Sequence, residues 1–238
     1  MKAVIIAAGF GSRLWDLSNQ VPKTLLPYAN GTILSTIITQ LKSAGIGDIG
    51  IVVGYNQEYI RKYVAEIDFG LPIQLIENLE WDKGNGLSVY KARNYVKDEP
   101  FVLSMSDHVV TVDALKQVVE SKENTNLLLV DPWVDSIHDI DDATKVYCEE
   151  NRIVAIGKEI PLYNGIDCGV FRLESDFFDA VETVVKSGNE SISGAIQELI
   201  ANKRMKSIKI SNPLQWLDID TPDAYEYGLR YVHRLIGK

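Results

Sequence analysis

Hydrophobic and polar positions follow two periods along this chain, and their alternation lays out an architecture. Ala3-Val4-Ile5-Ile6-Ala7 is a continuous apolar run, too short for a helix and unbroken enough for a strand buried on both faces. From Thr32 to Ser43 the apolar residues Ile33, Leu34, Ile37, Ile38 and Leu41 recur at helical spacing, and Gly45 stands where a helix terminates. The same two periods predict strands over 49–53, 73–76, 101–105 and 127–130, and helices over 57–67, 86–96 and 113–120. A β-α-β-α order of this kind implies a mostly parallel sheet covered by helices on both faces. Ligands of such sheets bind beyond the carboxyl ends of the strands.

After about residue 130 the rhythm changes. Segments 144–149 and 152–156, joined by a tight Glu150-Asn151 turn, read as an inserted β-hairpin. A strand over 166–173, helices over 175–185 and 191–202, and a short strand over 208–210 follow. The last helix opens at Thr221-Pro222-Asp223, with Thr as N-cap and Pro at the first helical position. The acidic stretch 135–142 reads as a solvated excursion. With no repeat, low-complexity tract or linker to divide them, the 238 residues are expected to form one domain.

Composition narrows the function. No apolar run approaches the roughly 18 residues of a membrane span, and Met1-Lys2 leads into a strand without a signal-peptide pattern, so a cytoplasmic location is expected. Cys148 and Cys168 lack metal-ligand spacing and read as reduced structural thiols. A net charge of −9 argues against nucleic acids and anionic membranes as partners. It leaves room for a nucleotide held by local cations.

Ala7-Ala8-Gly9-Phe10-Gly11-Ser12-Arg13 closes the first strand. Glycines there leave backbone N–H groups uncovered for a phosphate, and an arginine can fork onto an anionic oxygen; the alternative is a plain turn with a surface arginine. A dinucleotide fingerprint would need glycine at Leu14, and a Walker A loop ending at Gly157-Lys158 would need glycine at Arg152. Asp107 ends a buried strand, and Asp218-Ile219-Asp220 sets two carboxylates on one face of an extended segment. Three converging acids suit a hard cation such as Mg²⁺, with helix capping as the alternative for Asp220.

The string from Ala7 to Pro27, AAGFGSRLWDLSNQVPKTLLP, resembles the signature of the sugar-phosphate nucleotidyltransferase family, roughly LAAGxGTRLxPLTxxxPKxLLP. Gly9, Gly11, Arg13, Pro22, Lys23, Leu26 and Pro27 match it; Ile6, Ser12, Ser18 and Asp16 depart from it. The resemblance implies a three-layer α/β/α Rossmann-like nucleotidyltransferase fold with a mostly parallel mixed sheet, its part to about residue 130 binding the nucleotide and the remainder the acceptor. It also implies that Ala7, Ala8, Gly9, Gly11 and Ser12 receive the nucleotide, with Arg13 drawing on the triphosphate. Lys23 then neutralises charge where the acceptor phosphate meets the α-phosphorus, and Asp107 holds Mg²⁺ with Asp218 or Asp220. Arg13, Lys23 and Asp107 are the expected catalytic groups. Setting two polyanions together needs cations at the junction, which agrees with this layout.

Asn78 and Gly84-Asn85-Gly86-x-Ser88 lie at a helix entry where that fold places the base; alone they read as a glycine turn capped by Asn85. With Ser106-Asp107-His108, Asp142-Ala143-Thr144-Lys145, Ile156-Gly157-Lys158 and Ile166-Asp167-Cys168-Gly169 in that order, the chain is similar to the branch of the family that joins CTP to inositol 1-phosphate. The branch implies two small-molecule partners, CTP and a phosphorylated acceptor, with Lys23, Lys145 and Lys158 near the acceptor phosphate. Asp167, Glu159 and Gly169 then border the cyclitol. Phosphocholine, 2-aminoethylphosphonate or a sugar 1-phosphate are alternative acceptors, a noncatalytic nucleotide-binding subunit is an alternative of another class, and a homodimer stays open. His108 reads as structural, because a phosphate nucleophile needs no base, and Trp81, Trp133 and Trp216 read as packing.

Overall fold

Alternate residues of β1 (Lys2–Ala7) face opposite layers, Ala3, Ile5 and Ala7 entering one hydrophobic core and Val4 and Ile6 another. Burial on both faces is the reason the run is apolar without interruption. The computed structural model describes residues 1–14 and 21–236. Positions 15–20, with Asp16 and Ser18 of the glycine-loop signature, lie outside the described residues.

In chain order, β2 (Pro27–Tyr28) and β3 (Gly31–Thr32) form a small hairpin before α1 (Ile33–Ser43), β4 (Asp48–Val53), α2 (Gln57–Glu66) and β5 (Ile73–Glu77). Then come α3 (Asn85–Tyr90), α4 (Arg93–Val96), β6 (Phe101–Met105), β7 (His108–Val110) and α5 (Val112–Val119). The second half runs through β8 (Asn126–Asp131), β9 (Lys145–Glu149), β10 (Arg152–Gly157), β11 (Gly165–Leu173), α6 (Asp176–Lys186) and α7 (Ile192–Ala201). It closes with β12 (Met205–Lys209), β13 (Trp216–Asp218) and α8 (Pro222–Ile236).

The main sheet among the described residues has the order β5-β4-β1-β6-β11-β8-β12-β10-β9. Its first four strands are mutually parallel, β11 runs antiparallel to both β6 and β8, and β12 is parallel to β8. α1 and α5 bury their apolar stripes in the core on one face; α3, α4, α6 and α7 fill the core on the other. The expected three layers and mixed sheet are therefore present. α1 starts where Thr32 and Ser35 exchange side-chain to backbone hydrogen bonds, a reciprocal cap that satisfies two otherwise orphaned N–H groups.

The expected β9–β10 hairpin is present, and it extends the main sheet, β9 pairing with β11 and β10 with β12. Two details differ from the periodic pattern. The helix expected over 86–96 is two short helices, with the chain tightening between them as Ala92 N–H donates to the Val89 carbonyl. β7 and β13 pair antiparallel as a separate ribbon, which three-residue strands are too short to announce. Among the described residues no helix is long and apolar enough to cross a membrane.

Candidate active site

Ile6 of β1 pairs with Met105 of β6, so the glycine loop and Ser106-Asp107 leave the sheet side by side at its carboxyl edge. Gly9 opens onto free space, whereas Gly11 adopts φ +63° and lies on the Lys23 stem. The turn Lys23–Leu25 is tied to the end of β6 by Thr24, whose hydroxyl donates to the Ser106 carbonyl at 3.2 Å. Loop and strand end thus hold one lysine between them.

The β7–β13 ribbon supplies the acids. It sets Asp218 opposite His108, and Ile219 N–H donates to the Asp107 carbonyl at 2.8 Å, which brings Asp220 over the same spot. Lys23 Nζ lies 2.5 Å from both Asp107 Oδ2 and Asp220 Oδ1. Arg13 bridges Asp220 at 2.7 Å to Asp142 at 2.5 Å, and Lys158 meets Asp142 at 2.6 Å. Asp107, Lys23, Asp220, Arg13, Asp142 and Lys158 so form one row of alternating charge.

Burial disfavours charge on Lys23, yet the carboxylates of Asp107 and Asp220 outweigh it and raise its pKa above the ordinary lysine value. Burial likewise works against an ionised Asp107, but Lys23 and His108 prevail and depress its carboxyl. His108 is raised to about 9: Asp218, Asp107 and Asp167 overcome its desolvation and hold the imidazole protonated at neutral pH. Its Nδ1 lies 2.8 Å from Asp107 Oδ1, and its ring stacks on Trp216 at 5.6 Å. Burial pushes Asp218 up to about 6, with Asp107 and Asp220 adding repulsion against the relief from His108. Asp142 is lowered by its bonds to Arg13 and Lys158.

Asp107, His108 and Asp218 offer possible metal ligand atoms within 4.8 Å of one another. Asp218 Oδ1 is buried without a hydrogen-bond partner, the kind of orphaned oxygen a cation satisfies. Asp107 and Asp218 offer carboxylate oxygen to such an ion, a donor that suits a hard divalent cation, with His108 beside them.

Two cavities meet here. One of about 190 Å³ is lined by Ala7, Gly9, Gly11, Lys23, Asn85, Ser88 and Asp107, with Trp81 and Lys83 along its wall. The other, about 320 Å³, is bordered by His108, Asp142, Lys158, Asp167, Gly169, Asp218 and Asp220. They share Asn85 and Met105. Asp167 is raised to about 6 by burial against the opposing Gly169 N–H and His108.

Several expected site residues take other places. Asn78 is fully buried, donating to Ser88 Oγ at 2.9 Å and accepting from Glu80 N–H at 3.0 Å, so it fixes Ser88 rather than presenting its amide to a base. Gly84 and Gly86 spend their N–H groups on Glu190. Ala8 is buried with its carbonyl taken by Tyr55 N–H, and exposed Ser12 lies outside both linings. Lys145 donates to the Asp141 carbonyl, and Lys145 and the exposed Glu159 line neither cavity. The acidic stretch 135–142 is not merely solvated: Ser136, His138 and Asp139 border the larger cavity, and Asp142 joins the ionic row. In the sequence Asp142 figures only within this acidic stretch and the run Asp142-Ala143-Thr144-Lys145, and its partner Arg13 lies 129 residues away.

The three-layer Rossmann-like sheet thus carries two adjoining cavities and a row of paired charges at its carboxyl edge. The chain belongs to the nucleotidyl transferase family, whose model matches residues 2–134. It is 35% identical to the bifunctional IPC transferase and DIPP synthase of Aquifex aeolicus over 97% of its length, and spans about half of that relative. The CTP:phosphoglutamine cytidylyltransferase of Campylobacter jejuni is 26% identical, over 91% of this chain and 88% of that one. Among solved structures, the inositol-1-phosphate CTP transferase from T. maritima superposes with a TM-score of 0.87 at 28% identity, covering 100% of this chain and 98% of that one.

Proposed function

We propose that this chain transfers CMP from CTP to inositol 1-phosphate, giving CDP-inositol and pyrophosphate. The observation that carries the reading is Lys23 Nζ, poised 2.5 Å from two carboxylates where the two cavities adjoin. The nucleotide takes the smaller cavity, formed within the first 107 residues, and the acceptor the larger. Resemblance to proteins named for CTP and for inositol 1-phosphate supports the choice of pair.

Gly9 and Gly11 receive the triphosphate along the loop backbone, and Arg13 leaves Asp142 to fork onto its oxygens. An acceptor phosphate oxygen, already anionic, attacks the α-phosphorus in line; the bond from that phosphorus to the bridging oxygen breaks and pyrophosphate leaves. Lys23 offsets the charge that gathers between the two anions. Asp107 and Asp218, with Asp220 beside them, would hold a Mg²⁺ ion, which supplies further neutralisation of the phosphates when bound. Lys158 faces the acceptor phosphate, while Asp167 and His108 border the hydroxyls of the ring. The two buried thiols, Cys148 and Cys168, suit a reducing cytoplasmic setting.

Pyrophosphate release measured with each common NTP against inositol 1-phosphate, phosphocholine, 2-aminoethylphosphonate and sugar 1-phosphates tests the reading. CTP with inositol 1-phosphate is expected to turn over fastest. Tight nucleotide binding with no turnover for any pair would overturn it in favour of a binding subunit.

A further inference from the structure

The turn between α6 and α7 reaches across the sheet face to grip the start of α3. Glu190 Oε2 accepts from Gly84 N–H at 3.2 Å, and the Glu190 carbonyl accepts from Gly86 N–H at 2.9 Å. Asn85 between them accepts from Ile192 N–H at 2.8 Å, so the grip is returned. Gly84 has an ordinary extended backbone, and what requires glycine is proximity: a Cβ at Gly84 would stand 2.2 Å from the Glu190 carbonyl oxygen, and one at Gly86 2.8 Å. The gripping turn is itself fixed. Ser191 caps α7 by accepting from Gly194 N–H, and Asn189 Oδ1 accepts from both the N–H and the hydroxyl of Ser191.

These contacts join the walls of the two cavities. Asn85 lines both, Lys83 lines the smaller, and Ile192 and Ser193 line the larger. Resting on the assignment of a nucleotide to the smaller cavity, we propose that Glu190 is a positioning residue: it clasps the Gly84–Gly86 turn so that the first turn of α7, which walls the acceptor cavity, also sets the wall that receives the nucleotide. Glu190 touches neither cavity in its own right. Its carboxylate also lies near Lys83, so a hydrogen-bonding role and a charge role must be told apart.

Titration of all four NTPs with Mg²⁺ into the wild-type protein, E190A, E190Q and G84A separates them, alongside steady-state kinetics and amide hydrogen exchange. E190A is expected to raise the Kd and KM of the preferred nucleotide at least tenfold while kcat at saturation stays within threefold. E190Q retains an acceptor for Gly84 N–H and is expected within twofold of wild type; G84A, which drives the two turns apart, is expected to match E190A. Exchange at the Gly84 and Gly86 amides should quicken in E190A, with α7 still protected. Equal nucleotide affinity in E190A and wild type overturns the clasp, and so does E190Q as weak as E190A, which assigns the effect to charge. A wild-type protein that binds no NTP overturns the functional reading; amide exchange unchanged in E190A would then sink the clasp on its own.

Discussion

Gly11 rests on the aliphatic stem of Lys23, close enough that a Cβ at Gly11 would stand 3.1 Å from both Cγ and Cδ of the lysine. The glycine is needed twice over, for this contact and for its φ of +63°. Gly11→Ala is expected to cost about 1 kcal/mol of stability and to lower turnover at least tenfold by shifting the Lys23 ammonium. Thermal melting and kcat, measured together, check both; a stability loss with full turnover would detach the loop from the chemistry.

Lys23→Met removes the cation between Asp107 and Asp220. Turnover should fall by about 10²–10³, the scale of losing one preorganised charge at a transition state. The two carboxylates left facing each other should also depress the melting temperature in EDTA, and millimolar Mg²⁺ should restore more of it than it adds to wild type. Melting curves in the two buffers provide the comparison.

Asp107→Asn is expected to abolish most Mg²⁺-dependent turnover with the fold retained. Activity titrated against Mg²⁺, with circular dichroism as the control, reads the outcome. Unchanged turnover would remove Asp107 from the reaction.

Lys158→Met is expected to raise the acceptor KM at least tenfold and leave CTP affinity within threefold, since Lys158 lines the larger cavity alone. An equal loss for both substrates would move Lys158 out of the acceptor site.

Asp167 gives a pH prediction with a definite sign. Burial raises its folded pKa to about 6, above about 3.9 in the unfolded chain, so the folded state binds the extra proton between those values. Its contribution to stability is present in full below about pH 4 and is lost as pH rises through 6, an effect on the order of 3 kcal/mol. Asp167→Asn should flatten that part of the profile in urea melts between pH 4 and 7. A variant with the wild-type slope would place the titration elsewhere.

The layered fold was legible because burial on two faces leaves continuous apolar runs such as Val4-Ile5-Ile6, and one-sided burial leaves the helical spacing of α1. The glycine loop and Asp107 were legible because they sit at strand ends, where the register of β1 on β6 brings them together, and Lys23, in the turn Lys23–Leu25, was legible through the signature it shares with the family. Asp142 was not: a carboxylate in an acidic loop has the same local sequence whether it meets water or an arginine 129 residues away. Asn78 and Gly84 were misplaced for a related reason. An amide or a glycine near a site serves equally to touch a ligand or to let protein pack against protein, and only the contacts with Ser88 and Glu190 decide between them.

The row of alternating charge has a consequence for selectivity. Arg13, Lys23 and Lys158 face Asp107, Asp142 and Asp220, so these six groups sum to no net charge, and each cation already has an anion in place. A triphosphate that took Arg13 and Lys23 without a cation of its own would leave Asp107 and Asp220 bare. A polyanion that arrives with its own divalent cation exchanges partners of both signs at once. On the proposed reaction, the nucleotide's place in the row is therefore suited to a triphosphate that carries its own cation.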